Sequence, residues 1–111
     1  MQFTDSSRYW QSIGIENGAA NDAYWKAVND VRAVAQGKDV WTTETGQPIV
    51  GETLGSNTAS VENLQIYWWQ VACASFNSLN FFFYDLDDFA ATPSFAVVDT
   101  NYNPLIDMTC S

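Results

Sequence analysis

The spacing of apolar residues changes several times along the chain, and each change predicts an element. From about 19 to 36, Ala20, Tyr24, Ala27, Val28, Val31 and Ala35 recur at helical spacing. Asn17 or Asn21 is a candidate cap for that helix, and Gly37 stands where a left-handed terminal residue is wanted. Residues 39–43 (Asp-Val-Trp-Thr-Thr) follow at once and read as a short strand. That strand ends at the breaker cluster Glu44-Thr45-Gly46-Gln47-Pro48, and a loop rich in Gly, Thr, Ser and Asn runs on to Ser60. Ser60 is placed to cap a second helix over 61–76, with Val61, Leu64, Trp68, Val71, Ala72 and Ser75 as its inward stripe. Residues 79–84 (Leu-Asn-Phe-Phe-Phe-Tyr) read as a second strand, whose near-continuous apolar character predicts burial on both faces. An acidic loop, Asp85-Leu86-Asp87-Asp88, comes next. A short strand over 95–99 and a turn through Pro104 complete the pattern.

The order is helix, strand, helix, strand, with short links from each helix to the next strand and longer loops after the strands. That is βα-type, α/β architecture. Two strands alone leave both edges of a parallel sheet open, so the pattern reads as a piece of something larger.

Composition narrows the chemistry. The chain has 111 residues, 13 acidic and 4 basic side chains, a formal net charge of −9 and no histidine. Without an imidazole, Ser-His-Asp and Cys-His triads and most zinc chemistry are excluded within it. The negative charge argues against nucleic acid and against anionic membrane surfaces as partners. No apolar run is long enough to predict membrane insertion, and residues 1–5 do not read as a signal peptide. Cys73 and Cys110 are the only cysteines, and their number alone is compatible with one disulfide or two buried thiols. Carboxylate chemistry, aromatic stacking or a plain structural role remain.

In α/β folds, function gathers at the C-terminal ends of strands. Glu44 occupies that position on the first strand, with an N-capping or solvated loop glutamate as the bland alternative. Tyr84, Asp85 and Asp87 occupy the matching end of the second. A carboxylate flanked by aromatic faces suits sugar chemistry, because it attacks an oxocarbenium-like centre while the rings stack on pyranose faces. Tyr84 is the better binding candidate. The run 81–83 reads as sheet wall, and Tyr9 and Trp10 divide between subsite and packing. Asp85, Asp87 and Asp88 lack the ligand spacing and turn glycine of a calcium loop, so neither metal nor cofactor is expected.

These residues resemble a known family. Val40-Trp41-Thr42-Thr43-Glu44-Thr45-Gly46-Gln47-Pro48 is similar to the nucleophile signature of glycoside hydrolase family 17, the β-1,3-glucanases and fungal cell-wall glucanosyltransferases. Further similarities run through Arg8-Tyr9-Trp10-Gln11, Ser60-Val61-Glu62-Asn63, Phe82-Phe83-Tyr84, Pro93 to Val98 and Pro104 to Cys110. The resemblance implies the C-terminal portion of a (βα)8 TIM barrel, about strands seven and eight with their helices, spanning 1–111. It implies a retaining mechanism on β-1,3-glucan with Glu44 as nucleophile, hydrolysing to water or transferring to another glucan. Tyr84, Gln47, Trp10, Tyr9 and Asp87 are then the substrate-binding candidates. It also implies a Cys73–Cys110 disulfide and a secreted, cell-wall setting.

Gln47 departs from the motif, which has tryptophan there. The family's acid/base glutamate follows a strand without a counterpart in the sequence, and Glu16, Glu52 and Glu62 sit in no matching motif. The alternative expectation is therefore a catalytically incomplete fragment, at most a structural or glucan-binding module, prone to self-association if isolated.

Overall fold

The computed structural model describes residues 12–110. Tyr9 and Trp10 lie outside the described residues. A single 3-10 turn, Glu16–Gly18, leads into helix α1, Ala19–Val34. Neither expected cap operates. Asn17 and Gly18 themselves take left-handed backbone conformations (φ 54° and 73°), which turn the chain into the helix without a side-chain cap. Asn21 lies inside α1. At the other end Gln36 and Gly37 are both left-handed, so the helix stops at Val34, short of the predicted end. Its buried stripe is Ala20, Tyr24, Ala27 and Val28, while Val31 and Val34 face outward.

Strand β1, Trp41–Thr45, pairs in parallel with β2, Asn80–Phe83. Between them runs a helical rod made of α2, Val61–Tyr67, a π-helical stretch, Trp68–Ala72, and α3, Cys73–Phe76. Ser60 caps the rod as expected, its Oγ accepting the Asn63 N–H at 3.0 Å. The predicted inward stripe is largely interior: Leu64, Trp68, Val71, Ala72 and Ser75 are buried. The π-helical stretch carries no sequence signature that the apolar spacing could have revealed.

Two apolar clusters hold these layers together. One joins Ile15, Ala20, Tyr24 and Val28 to Tyr67 and Val71; the other joins Leu64, Trp68 and Ala72 to Val97, Val98 and Ile106. Phe81 and Phe83 pack against both, so β2 is the seam between them. Burial of β2 on both faces is not observed. Side chains alternate along a strand: Phe81 and Phe83 turn toward the helices, while Phe82 is 54% exposed beside the equally outward Trp41. Among the described residues no layer covers that face.

The predicted strand over 95–99 is not formed either. Ala96, Val97 and Val98 are buried, but the segment pairs only locally: the Asp85 N–H donates to the Phe95 carbonyl and the Asp85 carbonyl accepts the Val97 N–H, both at 3.1 Å, and one bridge joins Val98 to Pro104. The Asp99 carboxylate organises the intervening turn by accepting the Asn101 and Asn103 N–H groups at 2.8 and 2.9 Å. Competition from that side chain ends any ladder after one rung. No helix among the described residues is long and apolar enough to cross a membrane.

Candidate active site

The register of the β1–β2 pair slips in the middle. Trp41 lies opposite Asn80, Thr42 opposite Phe81 and Thr45 opposite Phe83. Thr43 and Glu44 thus face the single residue Phe82, a bulge that breaks the two-residue period. Thr42 and Thr45 are consequently both interior, and Thr43 and Glu44 are both exposed. The expected strand over 39–43 is displaced by two residues, which places Glu44 inside β1 at its penultimate position.

The threonines on either side of the bulge are fixed by buried hydroxyls. Thr42 Oγ1 lies 2.8 Å from Tyr24 OH, which also accepts from Ser75 Oγ at 2.9 Å. Thr45 Oγ1 lies 2.6 Å from Tyr67 OH, and the Thr45 carbonyl accepts the Tyr84 N–H at 2.7 Å. Burial holds the Tyr67 phenol far above its ordinary ionisation range. Gly46 completes the turn out of the strand. A Cβ there would collide with the Tyr84 carbonyl oxygen, so only glycine lets the two strand ends approach.

Glu44 opens onto a cavity of about 330 Å³ at these strand ends. Tyr24, Tyr67, Tyr84 and Phe95 contribute aromatic surface to its lining, and Thr45, Gln47 and Asn57 contribute polar groups. Glu44 is the one carboxylate among the described residues that line it. Tyr84 and Phe95 meet edge to face at 5.7 Å. The loop carrying Phe95 is held by Asp88, whose carboxylate accepts the Phe95 N–H at 2.7 Å and Ser94 Oγ at 3.0 Å.

The negative charge is concentrated at this end of the sheet. The Asp85 carboxyl is shifted upward by partial burial, then by the charges of Asp88, Asp87 and Glu44. One Asp85 oxygen is enclosed without a hydrogen-bond partner. The Tyr84 phenol is also raised, first by Asp85 and then by desolvation, Glu44 and Asp88. An exposed carboxylate beside an aromatic wall can attack an electrophilic carbon or stabilise a developing cation; the aromatic wall can seat a ring with apolar faces.

Two of the predicted binding residues also have structural partners, and one of them lies off the cavity. Gln47 is only 2% exposed, and its Nε2 donates to Asn57 Oδ1 at 2.6 Å and to the Thr58 carbonyl at 3.2 Å. Its Nε2 braces the loop after β1, while the residue still contributes to the cavity lining. Asp87 does not line the cavity. Its Oδ1 accepts the Phe89 N–H at 2.9 Å in a local turn, the usual occupation of an aspartate two residues before its partner. Tyr84 and Glu44 do come together. Sequence reasoning missed Phe95, Tyr67 and Tyr24, which lie far from the motif and reach the cavity only through packing.

The site thus combines a strand-end carboxylate on a bulge with an aromatic wall on a βα scaffold. The chain is similar to part of several fungal proteins named for β-1,3-glucan processing, one of them a glycoside hydrolase family 17 enzyme. It is 40% identical over 113 residues to a probable glucan endo-1,3-beta-glucosidase of Aspergillus oryzae, a match covering 96% of this chain and 24% of that protein. A protein of the same name from Aspergillus niger is 36% identical over 96 residues, covering 82% of this chain and 21% of its own length. In structure, the chain is similar to a glycoside hydrolase family 17 beta-1,3-glucanosyltransferase from Rhizomucor miehei, with a TM-score of 0.77 and 26% identity; 92% of this chain matches 40% of that one. No family model matches the chain. The chain spans about a quarter or less of the length of these curated relatives.

Proposed function

We propose that residues 1–111 form the C-terminal segment of a family 17 catalytic domain, contributing about strands seven and eight of a (βα)8 barrel. Glu44 is its nucleophile toward β-1,3-glucan. The observation that carries this reading is the bulge at Thr43-Glu44, which presents a lone carboxylate to the aromatic cavity at the C-terminal ends of β1 and β2. In a retaining reaction a Glu44 oxygen attacks the anomeric carbon as the glycosidic oxygen departs, forming a glycosyl ester. Water then releases the sugar, or a glucan hydroxyl takes it up. Tyr84 and Phe95 offer the faces against which the sugar ring packs. The Cys73–Cys110 disulfide supports a secreted, cell-wall setting.

A second reading is favoured by the same cavity. Retaining chemistry uses two carboxyl groups about 5–5.5 Å apart, and Glu44 has no such partner among the described lining residues. On that reading the chain alone is a glucan-binding module, and the acid/base comes from a further part of the barrel. The open face around Trp41 and Phe82 supports self-association of the isolated chain.

A fluorinated, aryl-activated β-glucoside separates the two. Its leaving group departs without a general acid, so a competent nucleophile becomes esterified even in an incomplete site. Intact-mass and peptide analysis should find the fluoroglucosyl adduct on Glu44, and Glu44→Gln should abolish it. An adduct on another residue, or one that persists in Glu44→Gln, overturns the nucleophile assignment. Binding of glucan with no adduct leaves the module reading standing.

A further inference from the structure

Each threonine beside the bulge is tied to a different helix. Thr42 bonds the Tyr24 hydroxyl of α1 at 2.8 Å, and Thr45 bonds the Tyr67 hydroxyl of α2 at 2.6 Å. Ser75 of α3 donates to Tyr24 at 2.9 Å, which leaves Tyr24's own proton for Thr42. The two threonines and two tyrosines are all buried, Thr42 completely. Between these ties lie Thr43 and Glu44, which share one partner residue and so lack a regular ladder of their own.

Stability alone does not account for the hydroxyls. A buried hydrogen bond adds little net stability, because the same groups bond water in the unfolded chain, and an apolar pair of matching shape can serve as well. What an apolar pair lacks is direction. Nor do the hydroxyls decide which side Glu44 faces. An unbroken two-residue period would turn Glu44 inward, and the cost of burying its carboxylate already forbids that. What remains for them to set is the angle of the bulge, since a fully satisfied buried polar network rigidifies what it joins.

We infer that Tyr67, through Thr45, and Tyr24, through Thr42, are positioning residues for Glu44: their two hydrogen bonds hold the bulge at the angle from which its carboxylate meets the cavity. The inference rests on the nucleophile reading of Glu44 and deepens it. A reacting group misplaced by about 1 Å can lose about a hundredfold in rate. Bonds that matter little to folding can therefore matter to attack.

The test compares Tyr67→Phe, Thr45→Val and the double variant of the whole chain, using the fluorinated, aryl-activated β-glucoside as the probe. Each single change leaves one buried hydroxyl without its partner and lowers stability. The double variant removes both hydroxyls and should recover most of that loss. Esterification of Glu44 at saturating probe should nevertheless be about tenfold to a hundredfold slower in all three, with probe affinity unchanged. Thr45→Ser keeps the hydroxyl and should keep the parent rate. Tyr24→Phe should slow the reaction from the other side of the bulge, and it supplies the answer if the double variant does not fold. A rate that recovers together with stability in the double variant shows a structural role alone and overturns the inference. So does a loss in Tyr67→Phe that Thr45→Val does not share, because Tyr67 then acts on the sugar directly. If the unaltered chain forms no adduct, the nucleophile reading falls instead, and the clamp is decided by the backbone order parameters of Thr43 and Glu44. These should drop from about 0.85 toward about 0.6 in the double variant; unchanged values overturn the clamp as well.

Discussion

Thr45 Oγ1 and Tyr67 OH share a buried 2.6 Å hydrogen bond one residue beyond Glu44, so the strand end that presents the carboxylate is anchored to the helical rod through its side chain. Tyr67→Phe keeps the ring and removes the bond, leaving the Thr45 hydroxyl short of a buried partner. The expected loss is about 1–3 kcal/mol by chemical denaturation near neutral pH. The alkaline limb should respond in the opposite sense. The folded-state pKa of Tyr67 is raised above the ordinary 10.0 by burial. Its contribution is thus whole below pH 10 and declines as pH rises above that, because only the unfolded chain then releases the proton. Tyr67→Phe should flatten that decline.

Gly46→Ala should be more damaging than its size suggests. The added methyl meets the Tyr84 carbonyl oxygen, and relief requires the strand ends to part. Parting them stretches the bond from the Tyr84 N–H to the Thr45 carbonyl, which is 2.7 Å in the native structure. A loss of about 1–3 kcal/mol in stability is expected. Weaker oligosaccharide binding should accompany it, since Tyr84 and Glu44 lose their mutual placement.

Glu44→Gln removes a charge from the acidic strand ends without emptying the core, because Glu44 is exposed. Glu44 is among the charges that raise the Tyr84 phenol and the Asp85 carboxyl, after larger contributions from Asp85 to Tyr84 and from desolvation to Asp85. Both groups should therefore titrate at lower pH in the variant, Tyr84 by ring resonances and Asp85 by its carboxyl carbon. The melting temperature should hardly move. Unchanged titration of both groups would mean that Glu44 points away from them in solution.

The parts of the fold that are legible in sequence are those fixed by local spacing. The Leu64 to Ser75 stripe and the Ser60 cap follow from helix geometry and one hydroxyl, and both are observed. The strand-end motif likewise puts Glu44 and Tyr84 at one end of a parallel pair. What was not legible depends on contacts between distant segments. The bulge at Thr43-Glu44 appears only when β1 is paired with β2, and it moves the strand two residues beyond its predicted start. Gln47 reads as a binding residue because of the motif it stands in, and nothing in that motif reveals that its Nε2 also bonds Asn57 and Thr58. Asp87 and Asp88 are neighbours of the same type with different tasks. One closes a local turn, and the other anchors the loop that brings Phe95 to the cavity. Nothing in their spacing separates them.

Gln47→Ala tests that bracing role. The substitution removes the donor to Asn57 Oδ1 and the Thr58 carbonyl and opens a void at a fully enclosed side chain. A cost of about 1–3 kcal/mol is expected. Gln47→Trp, which restores the residue type of the resembling motif, should be no better tolerated, because the position is enclosed and the indole is larger. A tryptophan variant as stable as the parent would show that the loop after β1 can reopen to expose this position.

The C-terminal strap is held twice, and the two restraints should prove interdependent. The Cys73–Cys110 disulfide joins the end of the helical rod to the chain terminus across a sequence separation of 37. Loop-closure entropy for that span corresponds to about 4 kcal/mol, so reduction should lower stability by up to that amount. Independently, Gln65 clamps the strap by donating to the Asp107 carbonyl at 2.8 Å and accepting the Asp107 N–H at 2.6 Å. That clamp keeps Ile106 seated in the second apolar cluster. In the oxidised protein the strap cannot move far when the clamp is lost, so Gln65→Ala should cost only about 1 kcal/mol. In the reduced protein the same change frees the terminus and exposes Ile106, so the combined loss from reduction and substitution should exceed the sum of the separate losses. Denaturation of both forms with and without the substitution closes the cycle, and strict additivity would mean that the strap stays seated without either restraint.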